Sequence, residues 1–479
     1  MSEYKLITRR GFFDRVSDGL HGAALATLLS KDLYGATAEG IRRSYDLKPR
    51  QPHFEPKAKA VIHLFMNGGP SQVDLFDPKP TLEKHHGEPY FDKVAADLTG
   101  PEGAGGLMRS PFRFAQHGQS GMWISEVMPH LTKHVDDIAM IRSMFTTHPN
   151  HEPALFVIQS GRTIPGRPSL GAWVIYGLGS ENQNLPAYVV LDDPLGLPVN
   201  GVQNWQAGFL PPIYQGTRLR SVGSPILDLQ AEVAEPTEIV QAERDLLSRL
   251  DRIHQRNHPR QLQLDARISS YELAARLQLE ASDALNLSKE SKETLAMYGV
   301  GEEPTDSYGR RCLMARRLVE RGVRFVQLYI NGQIWDNHNQ LENNLKTACA
   351  RTDKPVAALL KDLKQRGLLA NTLVIWGGEF GRMPIAQFDK GAKDAGRDHN
   401  PRGFSLWMAG AGIKPGVAYG GTDDLGYEAV DKPVSVTDWH ATILHLLGLD
   451  YTQLVFDQNG LKEKLTSVFE AHVVKDILA

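Results

Sequence analysis

Five short stretches hold most of the side chains that could bind a metal ion or an anion. In Trp335-Asp336-Asn337-His338, positions i and i+2 of an extended segment face the same side, so Asp336 and His338 can share one ion. A carboxylate with an imidazole suits Zn²⁺ or a similar divalent cation; a turn whose side chains only bond the backbone is the competing reading. Gly377-Gly378-Glu379-Phe380-Gly381-Arg382 sets one acid among glycines. There Glu379 could ligate a metal and Arg382 could hold an anion bidentately, against a plain tight turn with an ion pair. Gly396-Arg397-Asp398-His399-Asn400-Pro401 is the third. Neighbours on an extended loop face opposite ways, so one of Asp398 and His399 ligates while the other orients it or serves a second site. Arg397 could pair with an anion, and a solvated polar loop is the alternative. Thr146-Thr147-His148-Pro149-Asn150-His151-Glu152 precedes a helix, whose first N–H groups favour anions, so His148, Asn150 and His151 are candidate site residues. Asn67 and Ser71, in Asn67-Gly68-Gly69-Pro70-Ser71, are candidate substrate contacts. Asp438 reads as a helix cap. His440 and His445 are five apart and do not make a helical metal pair.

These stretches flank apolar runs that read as buried strands: 59–66, 138–142, 187–191, 324–330, 372–377 and 404–409. Helical patterns separate them, at 152–160 before Gly161, 308–320 before Gly322, 355–366 before Gly367 and 436–447. The alternation predicts an α/β fold, a mostly parallel sheet sandwiched by helices, with ligands at the carboxyl ends of the strands. Residues 225–298, rich in Gln, Glu, Arg and Leu, read as a helical insertion on that core. Pro101 to Ser110 reads as a loop.

The 479 residues are 41% hydrophobic, enough for a sizeable core, and the formal charge of -3 gives no footprint for nucleic acid. Two cysteines, Cys312 and Cys349, exclude a disulfide scaffold and a four-cysteine zinc site, leaving one disulfide conceivable. The 17 histidines are more than the site stretches need. No Walker A sequence, Rossmann glycine signature or G-x-S-x-G elbow is present. Cys312-Leu313-Met314-Ala315-Arg316 lacks the Pro of a sulfatase C-x-P-x-R motif. At the N-terminus, Thr8-Arg9-Arg10-Gly11-Phe12-Phe13, the mildly apolar 19–29 and Ala36-Thr37-Ala38 stand in the order of a twin-arginine export signal. Residues 1–38 are therefore expected to be a signal and 39–479 the mature domain. The twin-arginine export machinery is the expected partner, and the location periplasmic or secreted. No later stretch is long enough for a stable membrane span.

The motif series NGGPSQVDLFDPKP (67–80), HPNHEPALFVIQSGR (148–162), WDNH, WGGEFGR and GRDHNP resembles a bacterial, twin-arginine-exported, sulfatase-like family classed as a domain of unknown function. That family lies in the alkaline phosphatase and sulfatase superfamily. The resemblance covers nearly the whole chain. It implies an alkaline phosphatase/sulfatase-like fold, and hydrolysis of phosphate or sulfate esters of small molecules or polysaccharides at a divalent metal, Zn or Ca. It matches Asp336, His338 and His399 to one metal position. The other, from Asn67, Glu379 and Phe380, departs from the superfamily pattern. The helix that ends Ser160-Gly161-Arg162 starts at Asn150 and His151, without a Ser, Thr or Cys nucleophile. A metal-activated water is then the expected nucleophile, with His151 in the catalytic set and Arg162, Arg382 and Arg397 holding ester oxygens. A catalytically degenerate binding or scaffold protein is the alternative. Export would also permit a Cys312–Cys349 bond.

Overall fold

The computed structural model describes residues 45–220, 236–257, 268, 271–273, 284–387 and 394–479. The expected signal lies outside the described residues. Two units divide the chain, Met1–Tyr45 and Asp46–Ala479, and the sheet and candidate site belong to the second.

Each of the six apolar runs becomes a strand, because a segment covered on both faces has no wet side on which to place polar residues. In chain order the strands of the main sheet are β1 (Ala60–Phe65), β2 (Ile138–Phe145), β3 (Tyr188–Leu191), β4 (Thr217–Arg218), β5 (Phe325–Leu328), β6 (Thr372–Gly377), β7 (Phe404–Ala409), β8 (Val417–Tyr419) and β9 (Val434–Ser435). Their spatial order is β8-β2-β7-β6-β1-β5-β3-β4, with β9 also on β2. All pairs are parallel except those of β7, which runs antiparallel between β6 and β2.

The longer helices are α1 (His151–Ser160), α2 (Leu170–Leu178), α3 (Thr237–Asn257), α4 (Asp306–Glu320), α5 (Leu341–Gln365) and α6 (Val436–Leu446). Alternate strand residues point to opposite faces. Ile62, Leu64, Val326, Leu328 and Val374 share one core with Leu313 and Leu318 of α4 and Leu359 and Leu363 of α5. The other face carries His63, 5.8 Å ring to ring from Trp439 of α6, and Gln327, whose amide donates to Gln159 of α1 at 2.9 Å. Helices thus cover both faces. No helix among the described residues is long and apolar enough to cross a membrane. The described part of the expected insertion includes α3, a 21-residue helix.

Two local expectations change, and the open question of a disulfide is answered. The helix expected to start at Pro355 begins fourteen residues earlier, at Leu341, and runs through the proline. Leu345, Ala348 and Cys349 before it and Val356, Leu359 and Leu360 after it are all buried. Each such apolar side chain contributes about 1.5–3 kcal/mol, which together outweighs the roughly 3 kcal/mol cost of an interior Pro. The expected loop at 101–110 contains a strand, Ala104–Leu107, paired antiparallel with Ile385–Gln387. Cys312 and Cys349 are free and buried on α4 and α5.

Candidate metal site

Four chain segments converge at the carboxyl edge of the sheet. Asp336 and His338 follow β5, His151 opens α1 after β2, and Glu379 follows β6. His399 precedes β7, and because β7 is antiparallel its start lies at the same edge. One potential ligand atom from each of His151, Asp336, His338 and His399 lies within 4.8 Å of all the others. The Asp336 carboxylate is the hub. Its Oδ2 is 3.2 Å from His151 Nε2, and its Oδ1 is 2.9 Å from His338 Nε2 and 3.1 Å from His399 Nε2. The Nε2 atoms of His338 and His399 are 2.9 Å apart.

Two of the three outer nitrogens are held from behind, while His399 Nδ1 is buried without a partner. His151 Nδ1 lies 2.7 Å from Glu379 Oε1, and the Gly68 N–H donates to the same oxygen at 2.9 Å. His338 Nδ1 lies 2.5 Å from Gln387 Oε1. An Nδ1–H donated outward leaves Nε2 as the atom that faces the cluster. The Phe380 ring packs on His151 and His399, at 4.8 and 4.5 Å between centroids.

Charge is concentrated here. Burial opposes ionisation of Asp336, but contacts with the three histidines and the Arg382 guanidinium at 2.6 Å hold its carboxyl far below the usual carboxylate range. Burial also disfavours the charged form of His151, yet Asp336 and Glu379 raise it to about 9. His399 moves the other way, to about 3, through burial and the charges of Arg382 and His151, despite Asp336.

The donor set fits a divalent ion. Tetrahedral ligands at about 2.0–2.1 Å from a zinc ion lie about 3.3–3.4 Å from one another. Four contacts of 2.9–3.2 Å are near that spacing, and the ligand atoms of the whole set lie within 4.8 Å of one another. The side chains of Asp336 and His338 are 22% and 25% exposed, so solvent reaches the cluster from one side.

The remaining expected site residues sit elsewhere. Glu379 is not one of the converging donors; it is fully buried and braces His151. Asp398 turns away from His399's ring and accepts from the N–H groups of Thr99, Gly100 and His399. Arg382 and Arg397 are fully buried and saturated by protein acceptors. Arg382 donates to the carbonyls of Gly69, Arg397 and Gly68 besides Asp336. Arg397 pairs bidentately with Asp74 and donates to Met383 and Met108 carbonyls. Neither is placed to grip an ester; both tie loops together. Ser71 donates to Asp74, and Asn67 accepts from the Ile330 N–H at 3.3 Å. His148 Nδ1 accepts from the Asn150 N–H, and the exposed Asn150 precedes α1 without a side-chain cap. Arg162 lines a separate cavity. Asp438 is the third helical residue of a capping box whose cap is Ser435. Gln387 escapes sequence reasoning, because nothing along the chain links it to His338, 49 positions away. Its placement comes from the ribbon with Ala104–Leu107.

Fold and site together define an α/β protein with a mostly parallel sheet and a His₃Asp cluster, able to hold a metal, at the carboxyl edge of that sheet. The chain belongs to the family described as Protein of unknown function (DUF1501), whose model matches residues 58–478. No curated protein matches the sequence. Similar solved structures include a sulfatase, PsFucS1, from Pseudoalteromonas sp., at 12% identity and a TM-score of 0.34, covering 90% of this chain and 72% of that one. The lipoteichoic acid synthase LtaP from Listeria monocytogenes shows 9% identity and a TM-score of 0.33, with 88% and 77% covered. The phosphonate monoester hydrolase SpPMH from Silicibacter pomeroyi shows 10% and 0.31, with 73% and 71% covered. These likenesses are remote.

Proposed function

We propose that this chain is an exported, metal-dependent hydrolase of phosphate or sulfate esters, acting on small molecules or polysaccharide. The observation that carries the proposal is the convergence of His151, Asp336, His338 and His399 from three segments at a solvent-reached point of the sheet edge. Three imidazoles and one carboxylate suit Zn²⁺, whereas Ca²⁺ takes six to eight oxygen ligands, so zinc is the better of the two expected ions. Such an ion supplies Lewis acidity, which activates water and offsets charge developing on an ester oxygen. The chain's own part is orientation: Glu379 and Gln387 aim two imidazoles, and Arg382 keeps Asp336 ionised. With Asn150 and His151 at the start of α1, the site has no side-chain nucleophile there, which supports water as the attacking group.

A second reading, a metal-bearing binding or scaffold protein, has its own observation. Four protein donors would fill a tetrahedral shell, as in structural zinc sites, and neither Arg382 nor Arg397 is free for an ester. Elemental analysis of purified protein followed by a panel of phosphate and sulfate esters separates the two. The hydrolase reading expects about one zinc per chain and turnover, with His338→Ala losing both. Zinc without turnover on any ester of the panel leaves the binding reading. Export rests on the Thr8–Phe13 motif; residues 1–38 fused to a reporter should cross only through an intact twin-arginine route, and Arg9→Lys with Arg10→Lys should stop it.

A further inference from the structure

A cavity of about 650 Å³ lies beside the far half of α1, and none of the four metal-site donors lines it. Its walls are apolar at Phe145, Val157, Val436 and Phe469. Its cation is Arg162, two residues past the end of α1. The guanidinium lies 5.4 Å over the Phe469 ring, and Nη1 donates to Ser467 Oγ at 2.9 Å. No carboxylate pairs with it among the described residues, so most of its five N–H donors remain unused.

Two further features border the same space. Thr146 lines the cavity, is only 8% exposed, and its Oγ1 has no hydrogen-bond partner. The start of the eleven-residue α6 also lines it, with the Asp438 N–H already capped by Ser435 Oγ at 3.1 Å. Two carboxylates, Asp438 and Glu470, also line the cavity. Asp438 is engaged by the Ser435 N–H and hydroxyl and by the His472 N–H, at 2.9, 2.6 and 2.7 Å. Glu470 is 88% exposed at the mouth.

We propose that this cavity binds a small organic anion. The apolar body of the anion lies between Phe145, Val157, Val436 and Phe469. Its charged group meets Arg162, beside Thr146 and the start of α6. The site is independent of the ester-hydrolysis reading.

Naphthalene-2-sulfonate is a suitable probe, with naphthalene-2-sulfonamide as its uncharged counterpart, both titrated calorimetrically into the full chain. The sulfonate is expected to bind at least about tenfold more tightly than the sulfonamide, as charge-assisted bonds predict. Arg162→Met, which keeps the apolar stem, should weaken it by about tenfold or more, and Thr146→Val by a few-fold. Prior dialysis against a chelator should change nothing. Absent binding, equal binding of sulfonate and sulfonamide, or undiminished affinity in both variants overturns the proposal. Loss of binding on chelation also overturns it, since the anion would then sit at the metal cluster. Chelation leaves the cavity's own groups in place, so failure of the metal reading and failure of this one give different results.

Discussion

Glu379 makes the sharpest residue-level case. It touches no other side chain of the four-donor cluster than His151, yet it sets which nitrogen of that ring points inward. Partners of this kind typically govern metal affinity by 10–100-fold. Glu379→Gln is therefore expected to retain a folded protein whose zinc affinity falls by roughly that factor, read by competition with a chromophoric chelator. Unchanged affinity would mean that Glu379 does not brace the site. Arg397 and Asp74 illustrate a different role. Both are fully buried, and their bidentate pair joins the short helix Gln72–Leu75 after β1 to the loop before β7. Asp74→Ala leaves an uncompensated buried guanidinium, so stability should drop by about 3–5 kcal/mol in denaturant titration. A drop below about 1 kcal/mol would show that Arg397 finds another anion or water.

Among elements, the loops at the sheet edge are packed so closely that glycine is obligatory in two places. Gly68 has φ +114°, and a Cβ there would come 2.7 Å from the Asp336 nitrogen. At Gly396 a Cβ would come 2.0 Å from the His338 carbonyl carbon. Backbone atoms cannot move aside as a flexible side-chain tip can. Gly396→Ala should push the 394–400 segment away from the 335–339 segment, separating His399 from His338. A loss of about 2 kcal/mol and of stoichiometric metal are expected together, by thermal melts and elemental analysis. Full metal content in that variant would show that the two segments tolerate separation.

For the whole molecule, acid sensitivity follows from the sheet face under α1 and α6. Burial drives His63 down to about 3, helped by the charge of His440, and drives His440 itself to about 4. Unfolded histidine titrates near 6.5. Between pH 6.5 and about 4 the unfolded chain therefore binds up to two protons that the folded chain refuses. Their contribution to stability is fully present above pH 6.5 and is lost as pH falls toward 4, at up to about 1.4 kcal/mol per pH unit for each histidine. Asp353 works oppositely: burial raises its carboxyl to about 6, against the bonds from the His130 and Leu131 N–H groups, so its term shrinks as pH rises through 6. Unfolding midpoints in urea across pH 4 to 7 should fall steeply on the acid side, and less so in His63→Gln. A flat profile would contradict neutral burial of these two rings.

Periodicity determined the architecture, because a strand covered on both faces must be apolar throughout; all six runs entered the sheet. Motif spacing also brought Asp336 and His338 together, since i and i+2 share a side, and separated Asp398 from His399 for the converse reason. What the tertiary structure decided was the company each residue keeps. The antiparallel direction of β7 brings His399 to the other three residues of the cluster, and no local pattern encodes strand direction. His151 became a converging donor and Glu379 its support, an exchange that depends on angstrom-scale positions of loops more than two hundred residues apart. Arg382 and Arg397 look free in sequence but are consumed by carbonyls and acids from distant loops. Sequence specifies which side chains can do chemistry; packing specifies which of them are left with unused valences to do it.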